Sequence, residues 1–332
     1  MNIFQTKNKY PAIATIGIGL TNRCNLNCAH CYSRKMVDKK FGLTEACKVL
    51  KVFPNLKSAN FGTGESILND QFEKIVDFFY SKKVKMAVTS NGLSVNTMKD
   101  ETLEKFDDVD ISIDFPKLEL HDKWRSRPGL FKDAIKAIER CKKFKINVSI
   151  VSVLMSNNFD FFSGFKKILD KYNINLRINI YKPVNKDEFT PSYDQFWTAI
   201  KDLSENFEVV SCSEPILSLF WKDMSGGSKC GDSLRIHPDG EVSSCVYAKE
   251  STDNEKFNRD KKVLPTFCKG CEFSDKCVGG CYGRRMTEGR KNLPDSFCPF
   301  LNGKEKPVIK FKKYKSAKDL IHSSYLCTII LR

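Results

Sequence analysis

The chain has 332 residues and a mass of 38.0 kDa, long enough for about two domains, and 41% hydrophobic with 29% charged residues excludes wholesale disorder and fibrous repeats. No apolar run approaches the ~20 residues of a membrane-spanning helix; the longest, 13–20 and 326–331, are strand-sized, and residues 1–10 carry Lys7 and Lys9 without an apolar signal core, so a cytoplasmic protein with no membrane partner is expected. Lys and Arg (55) exceed Asp and Glu (40) by 15 charges, a field suited to acidic partners such as nucleic acid or an acidic peptide, although lysine pairs such as Lys39-Lys40, Lys82-Lys83, Lys142-Lys143, Lys166-Lys167 and Lys261-Lys262 read as solvated surface.

From residue 12 to about 182, short β-branched runs alternate with longer amphipathic stretches. Strands are expected at 12–20, 58–61, 85–89, 109–114, 147–154 and 175–181, and helices at 44–52, 69–81, 95–105, 130–144, 159–172 and 192–206. Alternation of this kind implies right-handed crossovers and a parallel sheet. Six units are too few for a closed eight-stranded barrel but suit an α/β fold with a partial (β/α)6 barrel, whose ligands gather at the C-terminal strand ends. Beyond 206 the pattern breaks down. Residues 225–302 are rich in Cys, Gly, Pro and Asp, with Pro238-Asp239-Gly240 as the turn of a hairpin between 233–237 and 241–246. A loop-dominated stretch holds together best around bound metal. The expected organisation is therefore a barrel at 11–206, a cysteine-rich domain at 207–302 and a basic tail of unassigned role at 303–332.

Fourteen cysteines in a chain without an export signal point to metal ligation, because the cytosol keeps thiols reduced. Cys24, Cys28 and Cys31 follow the first expected strand, seven more fall between Cys230 and Cys298, and Cys47, Cys141, Cys212 and Cys327 are scattered like small core residues. Three thiolates spaced as Cys24-x3-Cys28-x2-Cys31 can hold three corners of a cubane iron–sulfur cluster, leaving the fourth iron open to an exogenous ligand. The competing zinc set adds His30, which lies awkwardly between Cys28 and Cys31.

That triplet, followed by the aromatic Tyr32 at the end of the first strand of a β/α repeat, resembles the radical S-adenosylmethionine (SAM) superfamily. Gly62-Thr63-Gly64-Glu65 resembles the family's Gly-Gly-Glu-Pro motif for the methionyl amine, with Thr63 and Ser66 departing from it. Ser90 and Asn91, after the third strand, and Ser112 and Asp114, on the fourth, match positions that face SAM or substrate; Arg177 on the sixth is a candidate for the methionyl carboxylate. Each has a plainer reading: turn glycines at 62 and 64, a turn dipeptide at Asn91-Gly92, a surface arginine at 177.

The later cysteines run Cys230-x9-Gly240-x4-Cys245, Cys268-x2-Cys271-x5-Cys277-x3-Cys281 and Cys298. Paired Cys-x2-Cys knuckles also serve zinc. Downstream of a radical SAM domain the spacing resembles the SPASM extension, which holds two auxiliary [4Fe–4S] clusters. The resemblance implies that Cys230, Cys245 and Cys281 bind the nearer cluster, one ligand short, and that Cys268, Cys271, Cys277 and Cys298 bind the farther. Cys212 is the nearest spare thiol upstream, with core packing as its competing role.

The implied enzyme is an oxidoreductase with three [4Fe–4S] clusters and SAM, in which a 5′-deoxyadenosyl radical abstracts hydrogen from a C–H bond that the protein positions. Asp114 is the candidate catalytic group, as a base or a ribose ligand. The expected substrate is a ribosomally made precursor peptide, oxidatively modified, for example by crosslinking. A low-potential donor such as flavodoxin or ferredoxin would serve it. With the first strand starting near residue 12, leader recognition is expected to fall to a separate protein or to the basic surface and tail. Three alternatives compete. An anaerobic sulfatase-type formylglycine maturase is opposed by the missing auxiliary cysteine and by Val246-Tyr247 after Cys245. RNA modification lacks a recognisable RNA-binding module. The last is a non-enzymatic, zinc-stabilised binding module.

Overall fold

The computed structural model describes residues 2–34, 41–184, 187–220, 233–247, 264–314 and 328–332. Strands β1 (Thr15–Ile18), β2 (Ser58–Phe61), β3 (Lys85–Ser90), β4 (Asp108–Ser112), β5 (Asn147–Leu154) and β6 (Asn175–Ile180) lie side by side in chain order, every neighbouring pair parallel. The crossovers carry α1 (Leu43–Val52), α2 (Phe72–Ser81), α3 (Leu93–Thr97), α4 (Asp100–Leu103), α5 (Leu118–Trp124), α6 (Leu130–Lys143) and α7 (Lys166–Tyr172), and α8 (Tyr193–Asn206) follows β6. This is the partial β/α barrel that the alternation implies.

The period of two along each strand sorts its side chains. Ile16, Phe61, Val88, Ile111, Ile150 and Ile178 join the helices in one apolar core. The alternate set, including Gly62, Thr89, Ser112, Val151 and Asn179, lines a cavity at the C-terminal strand ends. The helices are built for that core. In α6, buried Leu130, Ala134, Ala137, Ile138 and Cys141 recur at helical spacing, and Asp122 of α5 accepts from the N–H groups of Gly129 (2.6 Å) and Phe131 (2.8 Å) at its start. Ser192 and Gln195 cap α8 reciprocally.

Two expected helices differ. The stretch 95–105 is broken into α3 and α4 with Met98 and Lys99 extended, because Arg140 of α6 donates to the carbonyls of Val95 and Met98. The stretch 159–172 is α-helical only in α7, preceded by a 3₁₀ turn, Phe162–Phe165, in which Gly164 packs against the ring of Pro116.

The sheet also runs past the boundary expected at residue 206. It continues with β7 (Glu208–Cys212), β8 (Ser233–Ile236), β9 (Val242–Ser243), β10 (Lys312–Lys313) and β11 (Thr328–Leu331), in the order β10-β7-β11-β6-β5-β4-β3-β2-β1-β8-β9. The hairpin turn at 238–240 is present, with Gly240 at φ +83, and its strand β8 pairs in parallel with β1. The apolar end of the tail forms β11, antiparallel between β6 and β7 and buried throughout. Two short helices, α9 (Ser274–Cys277) and α10 (Tyr282–Thr287), punctuate the cysteine-rich stretch. Cys230, Cys327, Lys39-Lys40 and Lys261-Lys262 lie outside the described residues. Among those described, no helix is long and apolar enough to cross a membrane.

Candidate active site

Cys24, Cys28 and Cys31 all line one cavity of about 150 Å³, together with Tyr32, Gly62, Gly64, Glu65, Ser90, Asn91, Ser112 and Asp114. Backbone contacts fix the arrangement. Gly64 has φ +63, and a side chain there would start 2.5 Å from the carbonyl oxygen of Thr21 and 2.6 Å from that of Arg23. Glu65 N–H donates to Arg23 O (2.8 Å), and the Tyr32 hydroxyl donates to Gly62 O (2.9 Å), so the 62–65 turn is sewn to the cysteine loop on both sides. Asn91 Nδ2 reaches Asn25 Oδ1 (2.8 Å) and Cys24 Sγ (3.6 Å).

Glu65 acts as an anchor. Its buried carboxylate accepts from Ser90 Oγ (2.5 Å), Asn91 N (3.0 Å), Ser94 N (2.8 Å) and Ser94 Oγ (2.5 Å), pinning the end of β3 beneath the cavity. Thr63 is buried against Gly19 and is not a lining residue. Arg177 does not line the cavity either. It is buried in the barrel between Asp108 (2.5 Å) and Asp110 (3.2 Å), near the N-terminal ends of the strands, and neither a surface position nor a cavity contact describes it.

One cation of the cavity wall is Arg125, which the sequence reading missed. It follows α5 and its Nε donates to Asp114 Oδ2 at 2.8 Å. Burial would raise the Asp114 pKa, but the charge of Arg125, with His30 and His121, overrides it and holds the carboxyl at about 2. His30 stacks on Trp124 (ring centroids 5.2 Å apart, 13° between planes) with Nε2 3.7 Å from Asp114, and burial pushes its pKa down to about 4. The imidazole therefore faces the acid network, which argues against a zinc set of three cysteines with His30.

The thiols suit a multi-iron group. Burial pushes Cys24 up to about 11 and raises Cys28, so both need a strong positive partner to ionise. Among the described residues no three His, Cys, Asp or Glu side chains converge as a single metal ion requires, and the twelve cysteines form no disulfide. Ligands on separate corners of a cubane stand farther apart than ligands of one ion, so three thiols spread around one cavity fit a cluster better than zinc.

The later cysteines divide into two neighbourhoods. Cys268, Cys277 and Cys298 each have a thiol raised first by burial and also by the charge of others in the group, Cys271 bearing on Cys268 and Cys298, so the four lie together. Cys245 and Cys281 instead flank Tyr247, whose ring lies 5.7 Å from that of Tyr32 and under Lys182 Nζ at 4.6 Å. Tyr247 and Lys182 line the cavity too, so this second neighbourhood adjoins the first. The separation of Cys277 from Cys281 has a local cause: Val278 (φ 51), Gly279 (φ 75) and Gly280 (φ 84) are all left-handed and reverse the chain between them.

Residues 18–161 match the Radical SAM superfamily. The chain is 26% identical over 329 residues to the antilisterial bacteriocin subtilosin biosynthesis protein AlbA of Bacillus subtilis (strain 168), covering 86% of this chain and 71% of AlbA. It is 24% identical to the mycofactocin maturase MftC of Mycobacterium ulcerans (strain Agy99), covering 92% of each. Among solved structures, Streptococcus suis SuiB bound to S-adenosylmethionine shares the fold, with a TM-score of 0.66 at 14% identity over 86% of this chain and 77% of SuiB; SuiB has also been solved bound to the precursor peptide SuiA. The superfamily match starts on the last residue of β1 and takes in the cysteine loop, the 62–65 turn and the Asp114–Arg125 pair, so residues 18–161 form a radical SAM domain.

Proposed function

We propose that the chain is a radical SAM maturase that oxidatively modifies, for example by crosslinking, a ribosomally made precursor peptide. The observation that carries this reading is one cavity with two unlike walls. The first is built from the cysteine loop and the ends of β2, β3 and β4; the second from Val151 and Val153 of β5 and Asn179 of β6, with Tyr181, Lys182 and Tyr247 beyond the strands. The second wall suits an apolar side chain whose peptide groups meet Asn179 and Lys182. The names of AlbA and MftC and the SuiA complex of SuiB support a peptide.

When bound, the [4Fe–4S] cluster and SAM supply reductive cleavage of the sulfonium and a 5′-deoxyadenosyl radical that takes a hydrogen atom from substrate carbon. Cys24, Cys28 and Cys31 hold the cluster. The backbone at Gly62 and Gly64 receives the methionyl amine, Ser112 and Asn91 border the same space, and Arg125, in place of Arg177, receives the methionyl carboxylate. Asp114 orients Arg125, since a carboxyl held at about 2 is a poor base near neutrality. Cys230, Cys245 and Cys281 would hold a nearer auxiliary cluster and Cys268, Cys271, Cys277 and Cys298 a farther one, groups that would supply a sink for an electron. A low-potential donor such as flavodoxin or ferredoxin would supply the electron, and a separate protein or the basic surface and tail would bind the leader.

The test is anaerobic protein reconstituted with iron and sulfide, given SAM and dithionite. Release of 5′-deoxyadenosine is expected. A short peptide encoded beside the gene is expected to lose the mass of two hydrogens for each crosslink on co-expression. No 5′-deoxyadenosine would refute the radical reading; 5′-deoxyadenosine with every candidate peptide unaltered would refute the peptide.

A further inference from the structure

β10 is the strand at one edge of the sheet. We propose that an acidic leader segment of the precursor peptide docks on this edge as an added strand, paired main chain to main chain. This rests on the peptide reading above and deepens it.

From Pro307 to Phe311 the chain has neither helix nor turn, and its side chains alternate. Ile309 and Phe311 pack on the core, the latter with its ring 6.2 Å from that of Phe220, while Val308 (90% exposed), Lys310 and Lys312 face solvent. That is the period of a strand, and it leads into β10. Among the described residues, the main chain of Val308, Ile309 and Lys310 makes no hydrogen bond. Unpaired strand-like backbone at a sheet edge is a template for another strand. At the far end of the sheet the chain covers its own edge: Asn2 pairs antiparallel with Glu241 beside β9, and Ile3 N–H donates to Gly240 O at 2.7 Å. Among the described residues β10 has no such cover.

Charge selects the occupant. Residues 303–314 hold five lysines against one acid, Glu305. Lys304 pairs with Asp194 at 2.7 Å, and Lys306 lies over the rings of Phe220 and Phe273, which fastens the start of the segment to α8 and to the cysteine-rich stretch. Lys310, Lys312 and Lys313 stay exposed along the edge. Two such edges repel each other, so a second copy of the chain is a poor occupant, whereas a strand with acids at alternate positions is attracted.

Topology aims the edge at the cavity. β10 is parallel to β7, and β11 is antiparallel to both β7 and β6, so β10 runs in the direction of β6, toward the end that carries Asn179. Lys313, Val209, Leu331 and Leu176 share one row, and Leu176 precedes Asn179 by three residues. Crossing from β10 to β6 and rising to Asn179 spans ~17 Å, about five extended residues. A leader parallel to β10 therefore delivers the residues after it to the second wall.

The experiment uses the reconstituted full chain, with a fluorescein-labelled synthetic peptide of alternating Glu and Val as probe and its Lys-Val counterpart as control. The Glu peptide is expected to bind and to protect the amides of 308–313 from hydrogen exchange; the Lys peptide is expected to do neither. Joint Lys310→Gln, Lys312→Gln and Lys313→Gln is expected to weaken binding at least about tenfold. N-methylation of alternate peptide groups in the probe, which removes main-chain donors, keeps its charge and needs no protein variant, is expected to do the same. Equal binding of both peptides, undiminished binding of the N-methylated probe, or protection confined to other elements would overturn the proposal. So would protection of 308–313 that grows with protein concentration in the absence of peptide, which would put a second copy on the edge. On co-expression the triple variant is expected to lower the fraction of precursor modified, and an equal fraction would overturn the leader role. 5′-Deoxyadenosine is measured on the same preparation: its absence beside intact docking would refute the radical reading alone, and its formation without docking would refute the edge alone.

Discussion

Asp114 shows how burial and one neighbour decide what a residue can do. In sequence it is an acid at the end of a strand, open to a role as base. In the folded chain Arg125 sits 2.8 Å away and keeps it ionised. Asp114→Asn is expected to keep the shape and lose the alignment of Arg125, weakening SAM binding about tenfold, the scale of one charged hydrogen bond; a SAM dissociation constant equal to wild type would remove Asp114 from that role. His121 predicts a pH effect. Its Nδ1 accepts the Asp114 N–H at 3.2 Å, and burial first, then the Arg125 charge, lowers its pKa from 6.5 to about 4. The unfolded chain therefore binds this proton first on acidification. The stability is complete above pH 6.5 and is lost as pH falls toward 4, by up to about 3 kcal/mol. His121→Asn, whose Oδ1 can accept the same N–H, is expected to lessen the fall of melting temperature across that window, with buried His30, also lowered to about 4, accounting for the remainder; an unaltered slope would count against the assignment. Arg125 was illegible in the sequence because its partner lies eleven positions upstream, and only the return of α5 across the end of β4 brings them together.

At the scale of elements, turns carry the site. A valine at 64 would drive its side chain into the backbone oxygens of Thr21 and Arg23 at a left-handed φ, neither of which can yield cheaply. Gly64→Val is expected to lower SAM affinity at least tenfold along with the melting temperature; loss of stability alone, with affinity intact, would make the turn only structural. Val278 offers the opposite sign. A β-branched residue at φ 51 is strained by ~1 kcal/mol or more. Val278→Gly is expected to raise the melting temperature of metal-loaded protein by a few degrees, whereas a fall would mean that the side chain, 37% exposed, makes contacts worth more than the strain. The strands and the longer helices were legible from periodicity. The break at Met98 was not, because a distant arginine takes the carbonyls that would have continued the helix.

For the molecule as a whole, the barrel and the cysteine-rich stretch share one structure. Phe297 stacks on Phe196 of α8 at 4.0 Å, its carbonyl accepts from Trp197 Nε1 at 3.2 Å, and Arg284 joins Glu214 to Asp295 across the two parts. Replacing Cys24, Cys28 and Cys31 together by Ala is expected to abolish 5′-deoxyadenosine formation and to lower iron from about twelve to about eight per chain, leaving the rest of the fold in place. Retained 5′-deoxyadenosine would contradict the cysteine assignment. Bound zinc without iron or sulfide would end the enzymatic reading.

The sequence by itself determined the cysteine spacing, the strand and helix alternation and the polar turns at strand ends, because each is set by residues within a few positions of one another. Tertiary structure decided that Arg125 and not Arg177 faces the cavity, that β8 joins β1, and that β11 enters between β6 and β7. Those outcomes depend on hydrogen bonds and ion pairs between residues far apart in the chain. Their free energy comes from burial that local periodicity does not encode.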